Sequence, residues 1–122
     1  MFRGSWNCGG PLLFVRIIER TILMRIVSLP KPEGDVIARE DQAGNLEGEF
    51  CADLSGCVFY RHPSGERRWY VNRNVEDFHK CAQAFNRYCE EVVQVSGEAA
   101  QRRVVDWLRA ELSHIEPPDA IN

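Results

Sequence analysis

Cys57-Val58-Phe59-Tyr60-Arg61-His62-Pro63-Ser64-Gly65-Glu66-Arg67-Arg68-Trp69-Tyr70-Val71-Asn72 leads, with almost no linker, into a helical pattern that opens at Asn74. Val58, Phe59 and Tyr60 are β-branched or aromatic, as are Trp69, Tyr70 and Val71, and such side chains fit a pleated surface. Between them Pro63 presets φ and Gly65 is free to take positive φ, so Pro63-Ser64-Gly65-Glu66 reads as a turn. The stretch therefore predicts a β-hairpin.

Beyond the hairpin, Val75, Phe78, Ala82, Phe85, Cys89 and Val92 recur at spacings of three and four, which places them on one stripe of a helix. Asn74 suits the N-cap, and Glu76 and Asp77 lie in the first turn, where the helix dipole favours acids. Ser96-Gly97 separates this helix from a second. Ala100, Val104, Leu108, Leu112 and Ile115 make the second stripe, with Trp107 alongside, and Pro117-Pro118 ends it. Two helices joined this closely pack as an antiparallel pair on one face of the sheet. The fold expected is α+β: a mostly antiparallel sheet packed against two C-terminal antiparallel helices.

Upstream the pattern is less decisive. Met1 to Gly10 has no clear period. Leu12 to Leu29 is apolar with scattered charge, and reads as a helix to about Met24 or as two short strands. Met24 is an alternative start position, which would make residues 1–23 a gene-model extension. Leu29-Pro30-Lys31-Pro32-Glu33-Gly34 reads as a break, since two prolines and a glycine cannot continue a helix. Asp35 to Arg39 reads as a short strand, Asp41-Gln42-Ala43-Gly44-Asn45 as a turn, and Leu46 to Asp53 as holding a strand around Phe50-Cys51-Ala52.

A chain of 122 residues, 44% apolar and 27% charged, has the size and composition of one globular domain, 1–122. The net charge of −3 gives no overall basic field for nucleic acid. The charge is uneven. From Glu33 to Asp53 there are seven acids (Glu33, Asp35, Glu40, Asp41, Glu47, Glu49, Asp53) against one base, Arg39. This segment reads either as a solvated surface or as a face that docks a basic partner, for which complementary charge speeds and orients encounter. The apolar run Pro11 to Val15 is stopped by Arg16, then by Glu19 and Arg20, too early for a signal peptide or a membrane span. Five cysteines without a secretory signal fit reduced thiols in the cytosol.

No catalytic or metal constellation stands out. The gaps Cys51-x5-Cys57 and Cys81-x7-Cys89 do not match structural zinc spacing. Cys89 lies on the helix stripe and Cys81 beside it, so both read as small core hydrophobes. A cysteine nucleophile needs a positioned histidine, and His62, His79 and His114 have no obvious partner. Arg67-Arg68-Trp69-Tyr70 invites comparison with a basic–aromatic nucleic-acid patch. Strand alternation instead sends Arg67 and Trp69 to one face and Arg68 and Tyr70 to the other, with one ring in the core and the arginines as flanking edge charge.

The elements Gly56-Cys57-Val58, Tyr70-Val71-Asn72 and Val75-Glu76-Asp77-Phe78, with the tail Leu108-Arg109-Ala110-Glu111-Leu112-Ser113-His114-Ile115-Glu116-Pro117, resemble the C-terminal half of the SUKH superfamily, in particular its bacterial immunity-protein branch. The resemblance covers residues 56–117; the N-terminal half does not share it. It implies a protein without enzymatic activity that binds and neutralises a toxin, often of nuclease or deaminase class. The chain is expected to need no cofactor and to act as a monomer or homodimer in the bacterial cytosol. Charge clustering and this resemblance together nominate Glu40, Asp41, Glu47, Glu49 and Asp53 as contacts, with Tyr60 and Trp69 as aromatic anchors. The alternative is a scaffold or chaperone-like module that binds through the two helices.

Overall fold

The computed structural model describes residues 10–12, 14, 25–42, 45–62 and 67–117. Five antiparallel strands lie side by side in chain order: β1 (Arg25–Glu33), β2 (Val36–Gln42), β3 (Asn45–Ala52), β4 (Val58–Arg61) and β5 (Arg68–Asn72). Two helices follow, α1 (Val75–Val92) and α2 (Glu98–Ile115). The α+β expectation holds, as do the strands flanking the Pro63–Glu66 turn; the turn itself lies outside the described residues.

The prolines of β1 correct one expectation. Leu29 to Glu33 is strand, and the turn comes later, at Gly34–Asp35, with Glu33 pairing to Val36. Gly34 takes φ +66°, which this two-residue connection requires. Among the described residues strand β1 has only β2 as a neighbour, so Pro30 and Pro32 cost no central ladder bond there, and the pairing simply shifts between Ser28 and Glu33. The prolines also remove donors from an edge that could otherwise recruit another strand. Closer to its start the same edge is closed from within. The Asn86 side chain of α1 accepts from the Ile26 N–H and donates to the Ile26 carbonyl, both at 2.8 Å, as a neighbouring strand would.

Helix α1 begins as its sequence suggests. The Asn74 side chain accepts from the Asp77 N–H at 2.7 Å, and Arg73 Nε donates to Asp77 at 2.8 Å. The helix then crosses from β5 toward β1, and α2 returns beside it. Phe78, Ala82 and Phe85 are buried on its stripe, with Cys81, Ala84 and Tyr88 beside them; Leu108 and Leu112 are the fully buried residues of α2. At its end Glu116, 1% exposed, accepts from the Tyr70 hydroxyl at 2.7 Å, the Arg73 N–H at 2.9 Å and Asn72 Nδ2 at 3.1 Å. Three donors make a buried carboxylate tolerable, and they tie the end of α2 to the last strand.

Phe14 occupies the centre of the core. Its ring lies 6.0 Å from Phe50 on the sheet, and 6.3 and 5.7 Å from Phe78 and Phe85 on α1. Gly10–Leu12 forms a short 3-10 turn; apart from Leu12 and Phe14, the Leu12–Met24 reading lies outside the described residues. Phe14→Ala should lower stability by about 3–5 kcal/mol. Chemical denaturation should show this as a lower midpoint with an unchanged slope.

Candidate functional site

One face of the sheet meets the helices; no described element packs on the other. Alternation along the strands assigns side chains to each face. On the helix side are Ile26, Ala38, Phe50, Val58, Tyr60 and Trp69, all part of the core or packed against it. The outer side carries Val27, Arg39, Glu49, Phe59, Arg61, Arg68 and Tyr70, linked by the pairs Val27–Arg39, Arg39–Glu49, Glu49–Arg61, Arg61–Arg68 and Phe59–Tyr70.

Two register shifts alter this pattern at the end of the sheet nearest α1's start. One lies between Val36 and Ala38 in β2, the other between Val58 and Phe59 opposite β5. Cys51 is paired with both Val36 and Phe59. Val36 and Cys51 are buried yet stand apart from the main core cluster. With Phe59 and Tyr70 they form a small apolar strip on the outer side. The Phe59 and Tyr70 rings meet edge to face at 6.1 Å, and the Arg68 guanidinium lies 4.5 Å from the Phe59 ring centre. Burial pushes the Cys51 thiol pKa up. Burial first, then the Glu116 hydrogen bond, push the Tyr70 phenol well above its ordinary range.

Charges of alternating sign run across the strands beside this strip. Arg39 meets Glu33 at 2.7 Å and Glu49 at 3.7 Å; Arg61 meets Glu49 at 3.0 Å and Asp35 at 3.5 Å. Among the described residues the acidic segment therefore does not form an acidic face. Its own Arg39, and Arg61 brought across from β4, stand between its carboxylates.

The nominated contacts separate accordingly. Glu40 and Tyr60, each 3% exposed, are core residues rather than contacts, because strand alternation turns both toward the helices. The Tyr60 hydroxyl donates to Glu40 at 2.5 Å. Glu49 is half-buried between its two arginines. Asp41 is half-buried opposite Arg25. Trp69 is half-buried on the helix side, 6.0 Å from the Tyr60 ring, with the Arg67 guanidinium 5.8 Å from its own. The Glu47 side chain lies outside the described residues. Asp53 organises the β3–β4 connection: one carboxylate oxygen accepts from the Ser55 N–H, the Ser55 hydroxyl and the Cys57 N–H at 2.9, 2.6 and 3.1 Å. Leu54 stands fully exposed at the tip of that turn.

The sequence reading passed over Gly48. A Cβ there would lie under 3.0 Å from the Tyr60 ring, its hydroxyl and the Glu40 carboxylate. Tyr60 thus reaches across β3 to β2 only because residue 48 has no side chain. A glycine inside a strand was the available signal, since that position often marks close approach of another group.

The four described cysteines are free thiols. Burial pushes Cys81 up to about 12 and Cys89 up to about 11, which keeps both protonated at neutral pH. Among the described residues no group of three or more His, Cys, Asp or Glu side chains is placed to hold a metal ion, and no helix is long and apolar enough to cross a membrane. Compared with known protein families, with curated proteins and with solved structures, the chain has no match.

Gly48→Ala should destabilise the domain by about 1–3 kcal/mol through overpacking, seen as a lower midpoint in a denaturant titration. A second expectation concerns acid. The hydrogen bond from the Ser55 hydroxyl, followed by backbone N–H donors, holds the Asp53 carboxyl below its usual range. A depressed folded pKa contributes stability above the unfolded value of about 3.9, and that contribution is lost as pH falls through the folded value. The stability difference between the wild-type chain and Asp53→Asn, measured by thermal unfolding, should therefore shrink as pH drops below about 4.

Proposed function

We propose that this domain is an immunity-type protein that binds a toxin in the bacterial cytosol and blocks it by occlusion, using the outer face of its sheet. The observation that carries this reading is the outer face itself. It holds half-buried Phe59 and Tyr70, exposed Val27 and a row of paired charges, and no described element covers it. Aromatic side chains and arginine are enriched at specific protein contacts. The SUKH resemblance supports the same reading, and its elements fall on β4, β5, α1 and the end of α2.

The helix-mediated scaffold has less support. Leu108 and Leu112 are turned into the core, with Val104, Trp107 and Ile115 packed against it, so the apolar stripe of α2 faces inward.

The test is co-expression with the product of a toxin gene adjoining this one. The wild-type chain should restore growth and co-purify with the toxin. Val27→Trp and Asp35→Trp place bulk at exposed positions around the outer face, and should abolish protection at unchanged melting temperature. Gln83→Trp, exposed on α1, should not. Full protection by both outer-face variants would overturn the proposal.

A further inference from the structure

Beside the Phe59–Tyr70 strip, Arg68 differs from the arginines around it. Arg39 is paired with Glu33 and Glu49, and Arg61 with Glu49 and Asp35. Near the start of α1, Arg73 is paired with Asp77. Arg68 is exposed, and its guanidinium has no hydrogen-bond or ion-pair partner among the described residues. Its cross-strand neighbour is Arg61, a like charge, an arrangement that is unfavourable unless something lies between or beside the pair.

Its position is nonetheless defined. The guanidinium lies over the Phe59 ring, Tyr70 meets that ring edge-on, and the Tyr70 hydroxyl donates to buried Glu116. A guanidinium stacked on an aromatic ring keeps its planar fork of N–H donors available while giving up little freedom when it binds. That fork matches a carboxylate, which can accept two parallel hydrogen bonds.

We propose that Arg68 is the anchor for a partner carboxylate, and that the segment docking on the outer face is an acidic peptide. This rests on the protein-binding reading above and specifies its chemistry. It also reverses the expectation of a basic partner. Glu33, Asp35 and Glu49 already face Arg39 and Arg61, while Arg68 beside them has no such partner among the described residues.

The probe is a short oligoglutamate peptide titrated into the full chain at low salt, read from the side-chain Nε–Hε signals of the arginines by NMR. The Arg68 signal should shift and saturate, and the Arg39 signal should not. Arg68→Gln should weaken the peptide by about tenfold or more. Phe59→Leu, which removes the ring but keeps the charge, should weaken it less. Oligolysine should leave the Arg68 signal in place. The assignment is overturned by an Arg68 signal that does not saturate, by affinity unchanged in Arg68→Gln, or by tighter binding of an oligothymidylate at Arg68, which would make the ligand a nucleic-acid phosphate. Because the toxin co-expression uses variants that leave Arg68 in place, a negative peptide result beside blocked protection rejects the acidic segment alone. Retained protection in those variants rejects the docking face.

Discussion

The aromatic cluster of Phe14, Phe50, Phe78 and Phe85 is what the rest of the structure depends on. A sheet covered by one layer of helices has one dry face to fill, and the rings fill it from both sides. Phe50 and Phe78, 5.0 Å apart, join strand to helix, and Phe14 sits against both and against Phe85. Burial of such rings supplies much of the driving force for a domain of this size. Once that face is filled, every second strand residue is committed to it, and the others are left to the outer face.

Polar groups complete the assembly where apolar packing cannot. Asn86 closes the start of β1, and Glu116 fastens the end of α2 to β5. The Tyr60–Glu40 pair spans three strands over Gly48. Each is buried or partly buried, so each is costly to break on one side only. Their common effect is to hold one register among strands whose pairing is interrupted by shifts. Those shifts bring Val36, Cys51, Phe59 and Tyr70 together outside the core, and they place Arg68 over Phe59.

Much of the fold was legible along the chain. The Val75–Val92 stripe, the Asn74 cap and the two strands around Pro63–Glu66 follow from local preferences and periodicity, which act over a few residues. The region before Asp35 was less legible. Prolines exclude a helix but do not exclude an edge strand, and whether a strand is an edge depends on its neighbours. Phe14 offered no signal above the apolar residues around it, because its role comes from which surfaces converge on it.

The nominated site was legible only in part, because sequence clustering of charge is not spatial clustering. Glu40 and Glu49 are close in the segment yet point to opposite faces of the sheet. Arg61, distant along the chain, lies against the acids it helps neutralise. The sequence by itself determined the helices, the Asn74 cap and the class of fold, since these depend on periodicity and local hydrogen bonding. Only the tertiary structure decided which carboxylates are core, which are paired and which guanidinium lies over an aromatic ring. Strand register sets these outcomes, and a one-residue shift moves a side chain from one face to the other.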